Sequence, residues 1–322
     1  MRRFAFALIA ILCHAAQAQS PGSPSSRPVS LVVTSAAGTG GDIAVRLITS
    51  RLAERLKQPV VVENRVGASG VIGADYVAKA APDGNTLLVM AITSAILSAA
   101  RTDLPFDMMR DFTHVTKLVD LPLALGLASV IKANDLKEFL ALVKAAPGKY
   151  TYASPGALAP QHLIGERMNQ QLGLAMVHVP HRDHALAVQN LVGGHVDMMV
   201  TSVASLRSLA AAGKLKLLAI TGTERSRLAP SVPTFGELGY NFLVDAAGWY
   251  LVSAPAATPA PVVARLNHEF REVMAAPEVV EAMFKNGLEP STGTPEHAAA
   301  FLKDEIERFS GIIKLGRIKL AD

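Results

Sequence analysis

"VSLVVTSAAGTGGDIAVRLI", residues 29–48, is the stretch from which the fold can be read. Val29 to Val33 is a short apolar run rich in valine, the pattern of a buried strand. From Asp42 onward Ile43, Leu47, Ile48, Leu52 and Leu56 recur on one helical face. Ser35, Ala36, Ala37, Gly38, Thr39, Gly40 and Gly41 stand between strand and helix. Glycines there cost backbone entropy on folding, so the run needs a reason. One reason is an anion site: unpaired amides and the positive end of a helix dipole favour a carboxylate or phosphate. Small residues would let such a ligand approach the backbone, and Ser35 and Thr39 would add hydroxyls. The other reason is a tight turn that starts a helix and does nothing more. Asp42 and Arg46, four apart, can pair on the helix surface.

Outward from this unit the alternation continues. "PVVVEN" reads as a strand, "GVIGADYVAKAAPDG" as a helix ended by Pro82 and Gly84, and "TLLVMAI" as a third strand. This β-α-β-α-β order implies an α/β fold with a parallel sheet and helices on both faces. "AITSA" closes the third strand and offers Thr93 and Ser94. After a stretch punctuated by Pro105 and Pro122, a second series runs from "DLKEFLALVKAAPG" to "LKLLAIT". Within it "YASPGALAP" repeats the first turn: a strand end, Ser154, Gly156, Ala157, then a helix. "GWYLVSAPAATP" reads as a return to the first unit, followed by a helical tail with Leu266, Phe270, Val273 and Met274 on one face. Two α/β lobes with a cleft between them are expected, 27–121 with 247–322 forming lobe 1 and 122–246 forming lobe 2. Open sheets bind ligands beyond the carboxyl ends of their strands, where both glycine turns lie.

The ends of the chain are also informative. Met1, Arg2 and Arg3, the apolar block Phe4 to Leu12, and Ala16-Gln17-Ala18 form an export leader, residues 1–18, cleaved near Ala18. "SPGSPSSR" then reads as a linker, placed at 19–26. Cleavage removes Cys13, the single cysteine in 322 residues, so the mature chain has neither disulfides nor thiolate chemistry. A net charge of +4 without any Lys/Arg run interleaved with aromatics gives no sign of nucleic-acid binding.

Enzyme motifs fail one by one. Ile43 stands where a G-x-G-x-x-G pattern needs its third glycine, and Gly41 is followed by Asp42 instead of Lys. "HRD", residues 181–183, lacks the asparagine and glycine loop of a kinase, and G-x-S-x-G is absent. His178, His181 and His184 are spaced by three, but Pro180 breaks the segment and no ligand set is completed around them. No metal, cofactor or catalytic constellation is expected, and Glu63-Asn64-Arg65 reads as a structural network.

Six stretches together resemble a known family: "VVVENRVGASGVIGADYVAKAAPDGNTLL", "LPFDMMRDFTHV", "HVPHRDHALAVQNLVGGHVD", "GKLKLLAIT", "PTFGELGY" and "GWYLVSAPAATPAPVVARLN". They are similar to the Bug (TctC-like) family, the extracytoplasmic solute-binding components of tripartite tricarboxylate transporters. The resemblance runs from Arg27 to near Asp322. It implies a type II-like periplasmic-binding-protein fold, two lobes and a hinge crossed twice. It also implies a periplasmic monomer that delivers a small organic acid to membrane permease subunits. By this resemblance Ser35 and Gly38 to Asp42 hold one carboxylate, and Ser154, Gly156 and Ala157 hold the other end. Thr93, Ser94 and His181 shape selectivity, and Asp197 lies towards the hinge side of lobe 2.

The loops depart from the family pattern. Thr34 and Ser35 replace a proline and an aromatic, Thr39 a glycine, and Gly41 a hydroxyl residue. Leu158 and Ala159 replace a glycine and a hydroxyl, and Val179-Pro180-His181-Arg182-Asp183 replaces V-P-Y-K-G. A sensory binding protein would share the fold and pocket. An enzyme using His181 or His184 as a base is the remaining alternative.

Overall fold

A computed structural model describes residues 27–316. The leader, the linker and residues 317–322 lie outside the described residues. The first segment runs β1 (Val29–Val33), α1 (Gly40–Leu56), β2 (Val60–Asn64), α2 (Val71–Ala78), β3 (Thr86–Ala91), α3 (Ile92–Ala100) and β4 (Phe112–Leu121). The second runs β5 (Leu123–Ala128), α4 (Leu136–Ala145), β6 (Thr151–Ser154), α5 (Pro160–Leu172) and β7 (Val177–Pro180). It continues through α6 (His184–Val192), β8 (Met198–Ser202), α7 (Val203–Ala211) and β9 (Leu215–Ile220). The chain then forms β10 (Gly248–Pro255), α8 (Ala260–Met274), α9 (Pro277–Lys285), β11 (Glu289–Pro290) and α10 (Pro295–Gly316).

A six-stranded sheet, β11-β4-β10-β3-β1-β2, and a five-stranded sheet, β7-β6-β8-β5-β9, result. The parallel sheets expected from the β-α repeats need a correction, because both are mixed. β1 pairs parallel with β2 and β3, but β10 runs antiparallel to β3 and β4. β5 likewise runs antiparallel to β8 and β9. The cause is the double crossing. β4 leaves the first sheet at Leu121 and β10 re-enters it opposite, at Gly248, so the two must run in opposite directions. Pro122, which cannot donate to a ladder, separates β4 from β5 where the chain changes sheets.

This topology aims the carboxyl ends of β1, β2, β3, β6, β7 and β8 at the junction between the lobes. Helices cover both faces of each sheet, so the strands read as continuous apolar runs. Leu31 and Val33 pack with Ile48 and Leu52 of α1 and Phe270 of α8. Val32 faces the opposite way, towards Ala95 and Ile96 of α3 and Leu302 and Phe309 of α10. Leu163 of α5 belongs to this cluster too, so an apolar contact crosses from lobe 2 into lobe 1. Polar ties follow the same route: Gln170 donates to the Ile312 carbonyl at 3.2 Å. Asp245 stands between Arg167 of α5 at 3.1 Å and Arg308 of α10 at 3.9 Å.

Candidate functional site: the strand ends between the lobes

The first turn is built around Asp42, which is 3 % exposed. Its carboxylate accepts from Arg46 Nε (2.9 Å to each oxygen), from Asn64 Nδ2 (3.0 Å) and from the Gly38 amide (2.9 Å). Arg46 above all, with the Gly38 amide and Asn64, holds the carboxyl at about 2 despite its burial. The Asp42–Arg46 pair is as the helical spacing suggests. Asn64 also donates to the Ser35 carbonyl, so the polar end of β2 splints the loop.

The hydroxyls of this turn look inward. Thr39 Oγ1 donates to the Ala36 carbonyl at 2.7 Å, which leaves Ser35 Oγ to donate to Thr39, also at 2.7 Å. Both protons are therefore spent inside the loop. The amides of Ala36, Ala37 and Gly40 make no hydrogen bond among the described residues.

Gly40 and Gly41 have a packing reason that the sequence did not show. A Cβ on Gly41 would lie 2.6 Å from Tyr250 Cε1, and one on Gly40 3.1 Å from Cε2. Tyr250, on the returning strand β10, lays its ring flat against the first turn of α1. Burial pushes its hydroxyl above the ordinary range, opposed by the hydrogen bond from the Gly41 amide.

Thr93 and Ser94 were placed at a strand end. The structure puts them in the first turn of α3, because β3 stops at Ala91 and the helix starts at Ile92. Neither hydroxyl has a partner among the described residues, and the α3 N-cap, Ala91, offers no side-chain acceptor. α3 packs against the α5 side of the junction through Ile92, Ala95, Ile96 and Leu163. Free donors therefore stand beside the contact between the lobes.

The second turn is closed on itself. Ser154 is fully buried, and its Oγ lies 2.8 Å from the Gly156 carbonyl and 2.6 Å from His178 Nε2. The Gly156 amide donates back to Ser154 Oγ at 3.2 Å, and the Leu158 amide to His162 Nδ1 at 3.2 Å. The Ala159 amide reaches the Gly156 carbonyl at 3.4 Å. Of the three residues expected here, Ala157 alone is exposed, and its amide is without a partner among the described residues.

Beneath the turn the rings of His162 and His178 stack at 3.9 Å, with Tyr152 next in the pile at 5.0 Å from His178. Gly165 leaves room for Tyr152, whose hydroxyl donates to Glu166. Burial, then the charges of His162 and His178's other neighbour His181, holds His178 at about 4. Burial also lowers His162, with Glu166 pulling the other way. The sequence reading named His178 for its spacing with His181 and His184, but His162 and Tyr152 escaped it, since their only cue was residue type. The Ser154–His178 pair does not present a nucleophile, since Ser154 has no exposed surface.

His181 and His184 come to the same junction but face different partners. His181 Nδ1 meets the Val179 carbonyl at 3.0 Å, and His184 Nε2 meets Thr201 Oγ1 at 2.8 Å. Among the described residues no three His, Cys, Asp or Glu side chains are grouped to hold a metal ion.

Asp197 needs a correction: it does not lie on the hinge side. It accepts the Thr151 amide at 2.7 Å and the Thr151 hydroxyl at 2.9 Å, at the opposite end of β6 from Ser154. That is about 10 Å along the strand from the junction. An aspartate directly before a strand serves its register there.

Comparison with known proteins agrees with this architecture. Residues 44–317 match the TctC family, described as the tripartite tricarboxylate transporter family receptor. BugT of Bordetella pertussis is 33 % identical over 297 residues, covering 92 % of this chain and 91 % of BugT. MatC from Rhodopseudomonas palustris, solved with bound malate, superposes with a TM-score of 0.71 at 30 % identity, covering 89 % of this chain and 99 % of that one. A second R. palustris protein, solved with adipate, gives a TM-score of 0.74 at 27 % identity, covering 91 % and 98 %. With a match over most of its length, two crossed α/β lobes and strand ends converging on their junction, the chain belongs to the TctC family of tripartite tricarboxylate transporter receptors.

Proposed function

We propose that this receptor captures a small carboxylate between its lobes and presents it to the membrane permease subunits of a tripartite tricarboxylate transporter. The observation that carries the reading is the pair of free hydroxyls, Thr93 and Ser94, at the uncapped start of α3, together with the unbonded amides of Ala36, Ala37 and Gly40, which follow the neighbouring strand β1. Malate and adipate in two relatives supply the ligand class. Lobe 1 comprises 27–121 and 247–322, and lobe 2 comprises 122–246. The leader ends near Ala18, and the mature monomer works in the periplasm. Catalysis has no support, because His181 and His184 are each engaged by a neighbour and no carboxylate orients either ring.

The test is a thermal-shift screen of the chain from Gln19, using carboxylates beside their neutral methyl esters. A ligand at about 100 times its Kd adds about 2.7 kcal/mol. For a chain of this size that is several degrees. Shifts with acids and none with esters are expected. Equal shifts with esters, or no shift with any acid, would sink the proposal.

A further inference from the structure

Tyr250 comes to the lobe junction although no motif pointed to it. β10 sets it opposite Ala91, the last residue of β3 and the N-cap of α3. Its ring reaches across to the start of α1. Cε1 and Cδ1 lie over Gly41, while Cε2 and the hydroxyl come within 3.1 and 3.2 Å of the place a Cβ on Gly40 would take. Leu121 Cδ2 meets the same place at 3.3 Å, where β4 hands the chain to lobe 2. The hydroxyl therefore stands at the crossing between the lobes, next to Gly40, whose amide is unbonded among the described residues.

A phenol accepts through its oxygen and has one proton to give. The Gly41 amide donates to the oxygen. No acceptor for the proton stands among the described residues. Burial raises the hydroxyl above its ordinary range, so it still carries that proton at neutral pH, where a carboxylate is ionised. Packing does not call for the oxygen, since phenylalanine would lay the same ring on Gly40 and Gly41.

We infer that the Tyr250 hydroxyl donates its proton in a hydrogen bond to the carboxylate of the ligand, beside the Gly40 amide, and so sets affinity from the lobe 1 side of the cleft. The inference rests on the carboxylate reading above and adds a binding residue to it. The arrangement is a relay: the Gly41 amide, at the positive end of α1, polarises the phenol oxygen and makes its proton the stronger donor. The glycines at 40 and 41 then serve the ligand as well as the packing, because a side chain at either would displace the ring that carries the hydroxyl.

Tyr250→Phe removes one oxygen and keeps the ring. Isothermal titration of the wild type and this variant with malate, adipate and benzoate reads the effect. Loss of a hydrogen bond to a charged group should weaken whichever of these acids the wild type binds by about tenfold or more. An acid bound as tightly, or more tightly, by the variant would overturn the inference while leaving the carboxylate reading intact. A wild type that binds none of the three would overturn both. Labelling the five tyrosines with 13C at Cζ gives a second readout that a purely structural hydroxyl would not move. The signal absent from Tyr250→Phe is expected to shift as the acid saturates the wild type. A signal that stays fixed at saturation would overturn the inference even if the variant binds weakly.

Discussion

Gly41→Ala tests whether the glycine run exists for Tyr250. The added methyl would sit 2.6 Å from Cε1, 2.9 Å from Cδ1 and 3.2 Å from Cζ of a ring held in a buried strand. Ordinary carbon contacts are about 3.5–4.0 Å, so the ring or the first turn of α1 must move by close to an ångström. Overpacking of this kind costs about 1–3 kcal/mol. Gly41 is helical with ordinary φ, and alanine there would otherwise gain up to about 1 kcal/mol over glycine. The single variant should therefore come out destabilised by about 0–2 kcal/mol. In a Tyr250→Ala background the clash is gone, and the same substitution should turn stabilising by up to about 1 kcal/mol. Urea unfolding of the four proteins in the cycle measures the difference, a coupling of about 1–3 kcal/mol. An effect of Gly41→Ala that is the same in both backgrounds would refute the reasoning, and the glycines would need another explanation.

Two further outcomes follow from buried groups. His114 is 4 % exposed, with Nδ1 at 2.8 Å from Ser253 Oγ and Nε2 lacking a partner, and burial holds it at about 4. The unfolded chain binds this proton from an ordinary 6.5 downward and the folded chain only near 4, so stability falls as pH drops through that window. The loss attributable to His114 is about 2 kcal/mol at pH 5 and about 3 at pH 4. It is read as the part of the pH slope in urea midpoints that His114→Gln removes; an identical slope in the variant would contradict it. Leu163→Ala deletes a fully buried side chain from the cluster joining the lobes and should cost about 2–5 kcal/mol. A loss under about 1 kcal/mol would mean the contact between lobes is loosely packed.

Much of the architecture could be read from local pattern alone. Val29–Val33 followed by the 3.6-residue periodicity of Ile43 to Leu56 identifies a β-α unit without reference to anything distant, because strand and helix periods are properties of neighbouring residues. The pairing of Asp42 with Arg46 was legible for the same reason, since four residues on a helix fix a distance. The direction of β10 was not, because it depends on where the chain crosses between sheets. Likewise "GWYLVS" says nothing of which turn Tyr250 will meet, 209 positions from Gly41.

The site divides along the same line. Residue types at strand ends announced that hydroxyls and amides would gather at Ser35, Thr93 and Ser154, since strand-to-helix turns are local events. Which of those donors stay free is settled by partners far along the chain. His178 takes Ser154, and Asn64 with Asp42 ties the first turn, while Thr93 and Ser94 are left without partners. Asp197 shows the converse, a polar residue beside a strand whose function depends on which end of the sheet it occupies. A hydrogen bond is satisfied once, and only the folded chain decides with whom.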